Sequence, residues 1–308
     1  MKINHTIENQ TFDEERALYN IKNTEVKNCV FAGPADGESV LKETRNIKVD
    51  HCQFSLRYPL WHAQGYEMTH CSLDELTRAP IWYSHHGLID SCSIHGIKIL
   101  RECSDTIVSN CQIDSPEFGW FCNDITIKDS QINSEYMILH SNNVKIENLK
   151  FTGKYSFQYM HHLDISNSYL DTKDAFWHSE NVIVRDSVVK GEYLGWFSKN
   201  LTFINCQIIG TQPLCYCENL KLIDCEMIDC DLAFEYSDVE ASIKGHVDSI
   251  KNVKSGTVTV DSVGEIINED AVMETNGQVV IRQVPSEHQE RCLAVVKKVW
   301  ISPHFLFP

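Results

Sequence analysis

The sequence has no long apolar run, and the apolar residues through most of the chain do not follow the period of a helix. Met1 to Asn20 is polar and charged, so we expect neither a signal peptide nor a membrane span there. Basic residues are scarce, because 27 Lys and Arg stand against 43 Asp and Glu, a formal net charge of -16. Nucleic acids and anionic membrane surfaces are bound by basic stripes, so we expect neither as a partner.

Several motifs of catalytic chemistry are also missing. There is no Gly-rich phosphate loop, no nucleophile elbow and no CxxC pair. His51 and His70 occupy equivalent positions of two consecutive repeats and suit a metal ion, but no third ligand is evident in the sequence. A hydrogen-bonded corner is therefore favoured at these histidines, and we expect no metal and no cofactor.

A small residue returns at a fixed interval through most of the chain. It is usually Cys or Ser, commonly follows Asn or Asp, and nine of eleven intervals are nineteen residues. Such a period is typical of a stacked solenoid. These anchor residues are Gln10, Cys29, Cys52, Cys71, Cys92, Cys111, Ser130, Leu149, Ser168, Ser187, Cys206 and Cys225.

The residues around each anchor alternate between apolar and polar, which predicts short strands with one buried face. The alternation changes parity at the polar residue before the anchor, so each repeat contains several strands. A second polar column lies six residues before the anchor, and its Asn and Asp residues suit a tight turn with left-handed backbone. We therefore predict an all-β, right-handed parallel β-helix, with about twelve rungs of nineteen residues.

The two interruptions of the period predict outward loops, at Gly33–Glu38 and at His85-His86. After Cys225 the repeats shorten, and Asp248-Ser249-Ile250 is echoed by Asp261-Ser262-Val263. We assign residues 1–270 to the β-helix domain, with tapering rungs from 239. Residues 271–308 form a C-terminal extension, either a helix that caps the solenoid or a tail foreign to the domain.

The 13 cysteines lie mostly in two inward columns, where they alternate with Ser. This interchange is typical of a small buried residue, so we expect reduced core cysteines instead of disulfides. Reduced cysteines favour a cytoplasmic location.

Six strings of the sequence form a set of motifs, which occur in this order: Tyr58-Pro59-Leu60-Trp61, Ile81-Trp82-Tyr83, Lys173-Asp174-Ala175-Phe176-Trp177, Gly191-Glu192-Tyr193-Leu194-Gly195-Trp196, Leu214-Cys215-Tyr216 and Leu232-Ala233-Phe234-Glu235-Tyr236-Ser237. Glu15-Arg16 and the stretch from Gly37-Glu38 to Lys42-Glu43-Thr44 belong to the same set. Together they resemble a bacterial family of uncharacterised function in the pectin-lyase-like superfamily. The resemblance covers roughly residues 5 to 282, and the tail after Gln283 departs from it. It implies a single-stranded right-handed β-helix, with no activity or catalytic residue to carry across.

Function is expected on the strand that lies six to eleven residues after each anchor, because aromatic and ionisable side chains concentrate there. Flat rings with hydrogen-bonding neighbours suit sugars, which present apolar faces and polar edges. The predicted binding residues are Arg101, Glu102, Phe121, His140, Tyr159, Trp177, Phe197 and Tyr216. Strand alternation favours an inward position for Trp61, Trp120, Trp177 and Trp196, although Arg101 and Gln158 share that column.

Acid–base catalysis on a glycosidic bond needs two carboxyl groups or a comparable pair. We predict Asp174 and His178 as the preferred pair, with Glu235 as a further carboxylate; spacing singles out no carboxylate pair among Glu117, Asp174, Asp231 and Glu235.

Three functions remain open from the sequence. The first is a carbohydrate-active enzyme, a lyase, hydrolase or epimerase, that acts on an intracellular oligosaccharide or sugar conjugate. The second is a non-catalytic glycan or ligand binder. The third is a structural or protein-interaction scaffold, in which the aromatic strip is buried in the core or in a homo-oligomer interface.

Overall fold

The computed structural model describes residues 2–33 and 38–283, and they form one parallel β-solenoid of about 14 turns without a helix. The predicted fold class, a right-handed parallel β-helix, is confirmed. Consecutive turns pair in register at the predicted interval, as in the series Ile127, Ile146, Ile165 and Val184. These four side chains are fully buried and stack along the solenoid axis in the core.

Each turn has three faces, which we name by their position relative to the anchor. The first face consists of the strands before the anchor: His5–Glu8, Lys22–Lys27, Arg45–Asp50, Gln64–Thr69, His85–Asp90, Ser104–Ser109, His161–Ser166, Glu180–Arg185, Lys199–Ile204, Asp238–Lys244, Ser255–Val260 and Gln278–Ile281. The second face follows the anchor: Thr11–Phe12, Val30–Ala32, Gln53–Ser55, Ser72–Leu73, Ser93–His95, Gln112–Asp114, Tyr169–Lys173, Val188–Lys190 and Gln207–Ile209.

The third face lies six to eleven residues after the anchor and, within the described part of the chain, has two strands of its own, Ile99–Arg101 and Glu117–Trp120. Three longer strands continue around corners from one face to the next: Asn123–Leu139, Asn142–Ser156 and Leu220–Ile228. A separate pair, His246–Lys251 and Ser262–Ile267, lies near the C-terminal end of the solenoid.

The corners of the solenoid are built from residues with left-handed backbone. The predicted column six residues before the anchor has positive φ throughout its central part, for example 53° at Asn143, 59° at Asn181 and 53° at Asn200. Carboxamides of this column bond from turn to turn, as in the 2.9 Å bond that Asn200 Nδ2 donates to Asn181 Oδ1. The residue before the anchor is also left-handed, as at Asn167 (φ 50°). The asparagine ladder and the bend before the anchor are therefore confirmed.

The anchor residue is Cys or Ser because its side chain completes the hydrogen bonding of this corner. Cys52 donates its backbone N–H to Cys71 Sγ at 3.4 Å, and Cys111 donates its own to Ser130 Oγ at 3.1 Å. The corner between the third and first faces uses the same device, since Met160 donates its N–H to Ser179 Oγ at 3.1 Å. All twelve described cysteines are free and buried, which confirms the predicted reduced core columns.

One of the two predicted loops is wrong. His85-His86 does not form an outward loop but begins the regular strand His85–Asp90. The extra residues of that repeat instead form a turn after Leu73, in which Thr77 N–H bonds to the carbonyl of Asp74 at 2.9 Å. Of the other predicted loop, residues 34–37 lie outside the described residues.

The C-terminal repeats also differ in register from the expected echo. His246 pairs with Ser262 and Val247 with Val263, a spacing of sixteen residues where the repeated Asp-Ser motif suggested thirteen. The strand Gln278–Ile281 pairs in parallel with Ser255–Val260, so the solenoid reaches into the segment 271–308 that we assigned to an extension. The predicted capping helix or foreign tail falls on residues 284–308, which lie outside the described part of the chain.

Candidate functional site

The third face owes its shape to alternating left-handed residues. Asp174, Phe176 and His178 have φ values of 52°, 65° and 55°, and the other turns repeat this alternation. Left-handed backbone costs about 1 kcal/mol or more at a residue with a side chain, so neighbouring turns must hold it in place. As a result, the side chains of Ala175 and Phe176 both point inward, whereas Trp177 and His178 both reach the surface.

This backbone overturns the predicted alternation, and with it the inward position of the tryptophans. Trp61, Trp120, Trp177 and Trp196 are all half-buried on the outer surface. Their indole N–H groups are satisfied by backbone carbonyls of the next turn, as in the 2.6 Å bond from Trp177 Nε1 to the carbonyl of Tyr193. We call this series the tryptophan column; its members are Trp61, Trp82, Arg101, Trp120, Leu139, Gln158, Trp177 and Trp196.

Beside it runs a column of six stacked rings, the ring column, which contains five of the predicted binding residues and His178. Its members are Phe121, His140, Tyr159, His178, Phe197 and Tyr216. Successive ring centroids lie 5.2, 4.5, 5.2, 5.1 and 4.8 Å apart, with interplanar angles of 11°, 5°, 10°, 8° and 15°. Because each ring covers the face of the next, the column presents ring edges to solvent. The expected flat ring platform for sugars is therefore absent along its length.

The ring edges are nevertheless well exposed. The exposed fractions of Phe121, Tyr159 and Phe197 are 41%, 43% and 41%. Tyr216, at the C-terminal end of the column, is more enclosed. Its burial raises its pKa, and the nearby Glu235 carboxylate raises it further. Burial also lowers the pKa of His140, which favours a neutral imidazole at pH 7. The column thus offers a phenol or imidazole edge at four of its six turns.

Both columns change character at a single turn, at Arg101 and Glu102. The Arg101 guanidinium carbon lies 5.1 Å from the Trp82 ring centroid, 5.9 Å from that of Trp120 and 5.3 Å from that of Phe121. Its Nε is buried, has no hydrogen-bond partner among the residues that the structure describes, and lies 3.8 Å from Glu102 Oε1. A cleft of about 560 Å³ opens here, lined by His85, Arg101, Glu102, Ser104, Phe121 and Asn123, together with Cys103.

The predicted catalytic residues do not form one constellation. Asp174 is buried, at 8% exposure, while His178 is exposed in the ring column, and no hydrogen bond or ion pair joins them among the described residues. Burial raises the pKa of Asp174. The positive charge of Lys173 opposes this increase, and the negative charge of Glu192 adds to it. Glu235 lies near Tyr216 at the C-terminal end of the ring column, in a 2.9 Å ion pair with Lys251.

The third ligand that the sequence did not reveal beside His51 and His70 is Asp50. Its carboxylate accepts bonds from His51 Nδ1 at 2.9 Å and His70 Nδ1 at 3.0 Å, and the two imidazoles stack at 4.7 Å. Burial opposes ionisation, but the bonds from His51, His70 and Thr69 lower the pKa of Asp50 to about 2. These ligand atoms are close enough to hold a metal ion, although in this arrangement both Nδ1 atoms are engaged by the carboxylate.

A second groove of about 560 Å³ runs along the first face. It is lined by carboxamides and charged groups that include Asn143, Lys145, His162, Asp164 and Asn181. No Phe, Tyr or Trp is among the residues that line it, so it differs in chemistry from the third face.

Comparison with known proteins identifies the family. Residues 5–281 match the family described as protein of unknown function DUF3737. The chain belongs to this family. No curated protein matches the sequence. None of the residues that the structure describes forms a helix capable of crossing a membrane.

Solved structures with a similar fold come from proteins of distant sequence. The tailspike protein of E. coli bacteriophage HK620, in complex with a pentasaccharide, is 12% identical over 90% of this chain and 67% of its own, with a TM-score of 0.46. The mannuronan C-5 epimerase AlgE6 A-module of Azotobacter vinelandii is 10% identical over 91% and 89%, with a TM-score of 0.25. The catalytic domain of a GH87 alpha-1,3-glucanase, in complex with tetrasaccharides, is 11% identical over 90% and 64%, with a TM-score of 0.28. At these identities the likeness concerns the fold alone.

Sequence reasoning missed the cation clamp of Arg101 and the membership of Trp82 in the tryptophan column. The two-residue insertion after Leu73 shifts Trp82 out of the simple period, which hides it. Counting from the next anchor, Cys92, places Trp82 ten residues earlier, where Trp61 stands relative to Cys71.

Proposed function

We propose that this chain binds an oligosaccharide along its third face, with the ring column as the main contact surface. The observation that carries this proposal is the unbroken run of six stacked rings, five of them exposed, held in fixed register by the solenoid backbone. At a strand spacing of about 4.8 Å the run is about 24 Å long. A surface of this shape suits an extended ligand with repeating units.

The edge-on arrangement determines how such a ligand is held. Phenol hydroxyls and imidazole nitrogens at the ring edges donate and accept hydrogen bonds to sugar hydroxyls, while ring C–H edges pack against apolar sugar faces. The ligand gains these contacts without ordering the column, because stacking already fixes each ring. The buried, free cysteines favour a reducing compartment, so we propose an intracellular oligosaccharide or sugar conjugate as the ligand.

The test begins with a glycan array on the wild-type chain and continues with titrations of the glycans that bind. Tyr159→Ala should weaken binding by about 1 kcal/mol or more, as expected for the loss of an anchor ring. Tyr159→Phe keeps the stack with His140 and His178 and isolates the hydroxyl, so it should produce a smaller loss. Tyr169→Ala is the matched control, since Tyr169 is equally exposed, at 41%, on the second face.

Two outcomes contradict the proposal. One is an array without a bound glycan, and the other is a homo-oligomer in solution whose interface covers Tyr159 and Tyr216. The second outcome supports the scaffold function.

Catalysis on the same ligand is a second candidate function, and the raised pKa of the buried Asp174 favours it. A carboxyl group with a raised pKa beside a binding surface is suited to general acid catalysis of lyase, hydrolase or epimerase reactions. Loss of turnover with retained binding in Asp174→Asn distinguishes this candidate from simple binding.

A further inference from the structure

We infer that the turn of Arg101 and Glu102 forms a subsite for one neutral sugar residue, in which the guanidinium donates to one hydroxyl of a vicinal pair and the carboxylate accepts from the other. This inference rests on the proposed function and concerns the N-terminal end of the same surface. It starts from the one turn at which both aromatic columns are interrupted by charged side chains.

The position of Arg101 is fixed by its neighbours. Trp82 and Trp120 lie on either side of the guanidinium, at 5.1 and 5.9 Å, and Trp82 is itself held by a 2.6 Å bond from its Nε1 to the carbonyl of Lys98. An arginine clamped between aromatic rings loses little freedom when it binds a ligand. The clamp therefore preorganises a hydrogen-bond donor at the surface.

The donor capacity of Arg101 is not consumed by the protein. Its nearest carboxylate, Glu102, lies 3.8 Å from Nε, beyond hydrogen-bond distance, and the buried Nε has no other hydrogen-bond partner among the described residues. Buried donors are almost always satisfied, so an orphaned one in a cleft points to a missing acceptor. A small shift of the guanidinium toward a ligand or toward Glu102 would satisfy it.

The cleft also contains what a sugar residue needs besides the charged pair. At about 560 Å³ it lies within the usual size range of ligand pockets. His85 Nδ1 and Ser104 Oγ bond to each other at 2.7 Å and mark the polar side of the cleft. Tyr83 and Phe121 occupy the positions equivalent to Glu102 in the turns before and after it. Glu102 therefore separates these two rings.

The charge of the cleft and of the whole molecule selects a neutral sugar over an acidic one. Glu102 already compensates Arg101, and the chain carries a formal net charge of -16. A uronate in this cleft would meet the Glu102 carboxylate and the repulsive field of the protein. A vicinal diol instead finds one donor and one acceptor, each charged, which is the stronger kind of hydrogen bond.

The experiment compares neutral hexasaccharides of glucose, mannose and galactose with hexagalacturonate by isothermal titration. We expect a neutral hexasaccharide to bind the wild type more tightly than hexagalacturonate. Glu102→Gln, which keeps the shape of the side chain, and Arg101→Lys should each weaken that binding roughly tenfold or more. Arg185→Lys serves as the control, because Arg185 is paired with Asp164 on the first face and should bind like the wild type.

The sign of the Glu102→Gln effect separates the two ligand chemistries. If Arg101 holds a carboxylate of the ligand, removal of Glu102 relieves repulsion and strengthens binding of hexagalacturonate, which overturns the inference. Unchanged affinity in both Glu102→Gln and Arg101→Lys, with Tyr159→Ala still weakened, overturns the subsite but leaves the proposed function intact. A wild-type chain that binds none of the three neutral hexasaccharides overturns the subsite, and a glycan array without a bound glycan overturns the proposed function as well. Circular dichroism of each variant verifies that the solenoid is folded.

Discussion

The backbone N–H of Leu149 donates a hydrogen bond of 3.0 Å to the hydroxyl of Ser168, in the next turn of the solenoid. Ser168 Oγ in turn donates to the carbonyl of Ser166 at 2.8 Å, within its own turn. One small side chain thus satisfies backbone groups of two turns at a corner where the left-handed Asn167 interrupts the strand. A buried N–H without a partner is costly, which explains why the anchors are Ser or Cys more often than Ala.

The first prediction concerns this corner. Ser168→Ala should lower the free energy of unfolding by about 1–3 kcal/mol, because it leaves the buried N–H of Leu149 without an acceptor. Ser168→Cys, which restores the side chain found at other anchors, should lose less. Urea unfolding followed by circular dichroism measures both, and equal losses in the two variants would show that volume, and not hydrogen bonding, selects the anchor.

The second prediction concerns the cysteines. Burial raises the pKa of Cys217 and Cys230 to about 12, so these thiols are protonated and inaccessible in the folded chain at pH 7. Alkylation at pH 7 followed by peptide mass spectrometry should modify the twelve described cysteines only after denaturation. Rapid modification of Cys217 in the native chain would contradict the structure.

A third prediction follows from Asp50, whose pKa of about 2 lies below its ordinary value of 3.8. A lowered carboxyl pKa stabilises the fold above the unfolded-state pKa, and this stabilisation is lost as the pH falls from about 4 through 2. Asp50→Asn should therefore be less stable than the wild type at pH 7, by about 2 kcal/mol. The difference should shrink on acidification, and a difference that stays constant between pH 7 and pH 2 would mean that the ionised carboxylate contributes nothing.

The fourth prediction has the opposite sign, because the pKa of Asp174 is raised. Burial favours the neutral acid in the folded chain, so the carboxylate opposes folding once the pH exceeds the unfolded-state value. Asp174→Asn should thus unfold at a higher temperature than the wild type at pH 7, and the advantage should vanish below about pH 4. If the chain is an enzyme, the same variant should lose turnover and keep its glycan affinity. Lower stability at pH 7 would show that the charge of Asp174 is compensated in the fold.

The repeat period made much of the architecture predictable from sequence. Asn181 and Asn200 predict turns at their own positions, because few residue types tolerate left-handed backbone. The interchange of Ser and Cys predicts the buried corners. The third face was harder to predict because Phe176, Ile81 and similar residues adopt left-handed backbone without any preference for it. Only the stacking of adjacent turns imposes that conformation, and propensity arguments do not contain it.

The candidate site, too, could be predicted from the sequence only in part. Concentration of rings on one face was visible in the sequence, since spacing alone aligns Tyr159 with His140 and His178. Ring orientation was not, because it depends on side-chain packing between turns. The clamp on Arg101 was invisible for a related reason: its partners Trp82 and Trp120 lie nineteen residues away on either side, and alternation wrongly assigned the column to the core.

Because the register between turns is constant, the number of turns can change without a change in the contacts between neighbouring turns. Pairing of Ile146 with Ile165 and of Ile165 with Val184 repeats the same contacts, so each turn touches only the turns before and after it. Removal of one whole repeat, for instance residues 149–167, rejoins columns that already match. Such a deletion shortens the third face by a single unit of about 4.8 Å without altering the chemistry at either end. The reach of the protein along an extended partner is thereby encoded in the number of its repeats, separately from what each repeat recognises.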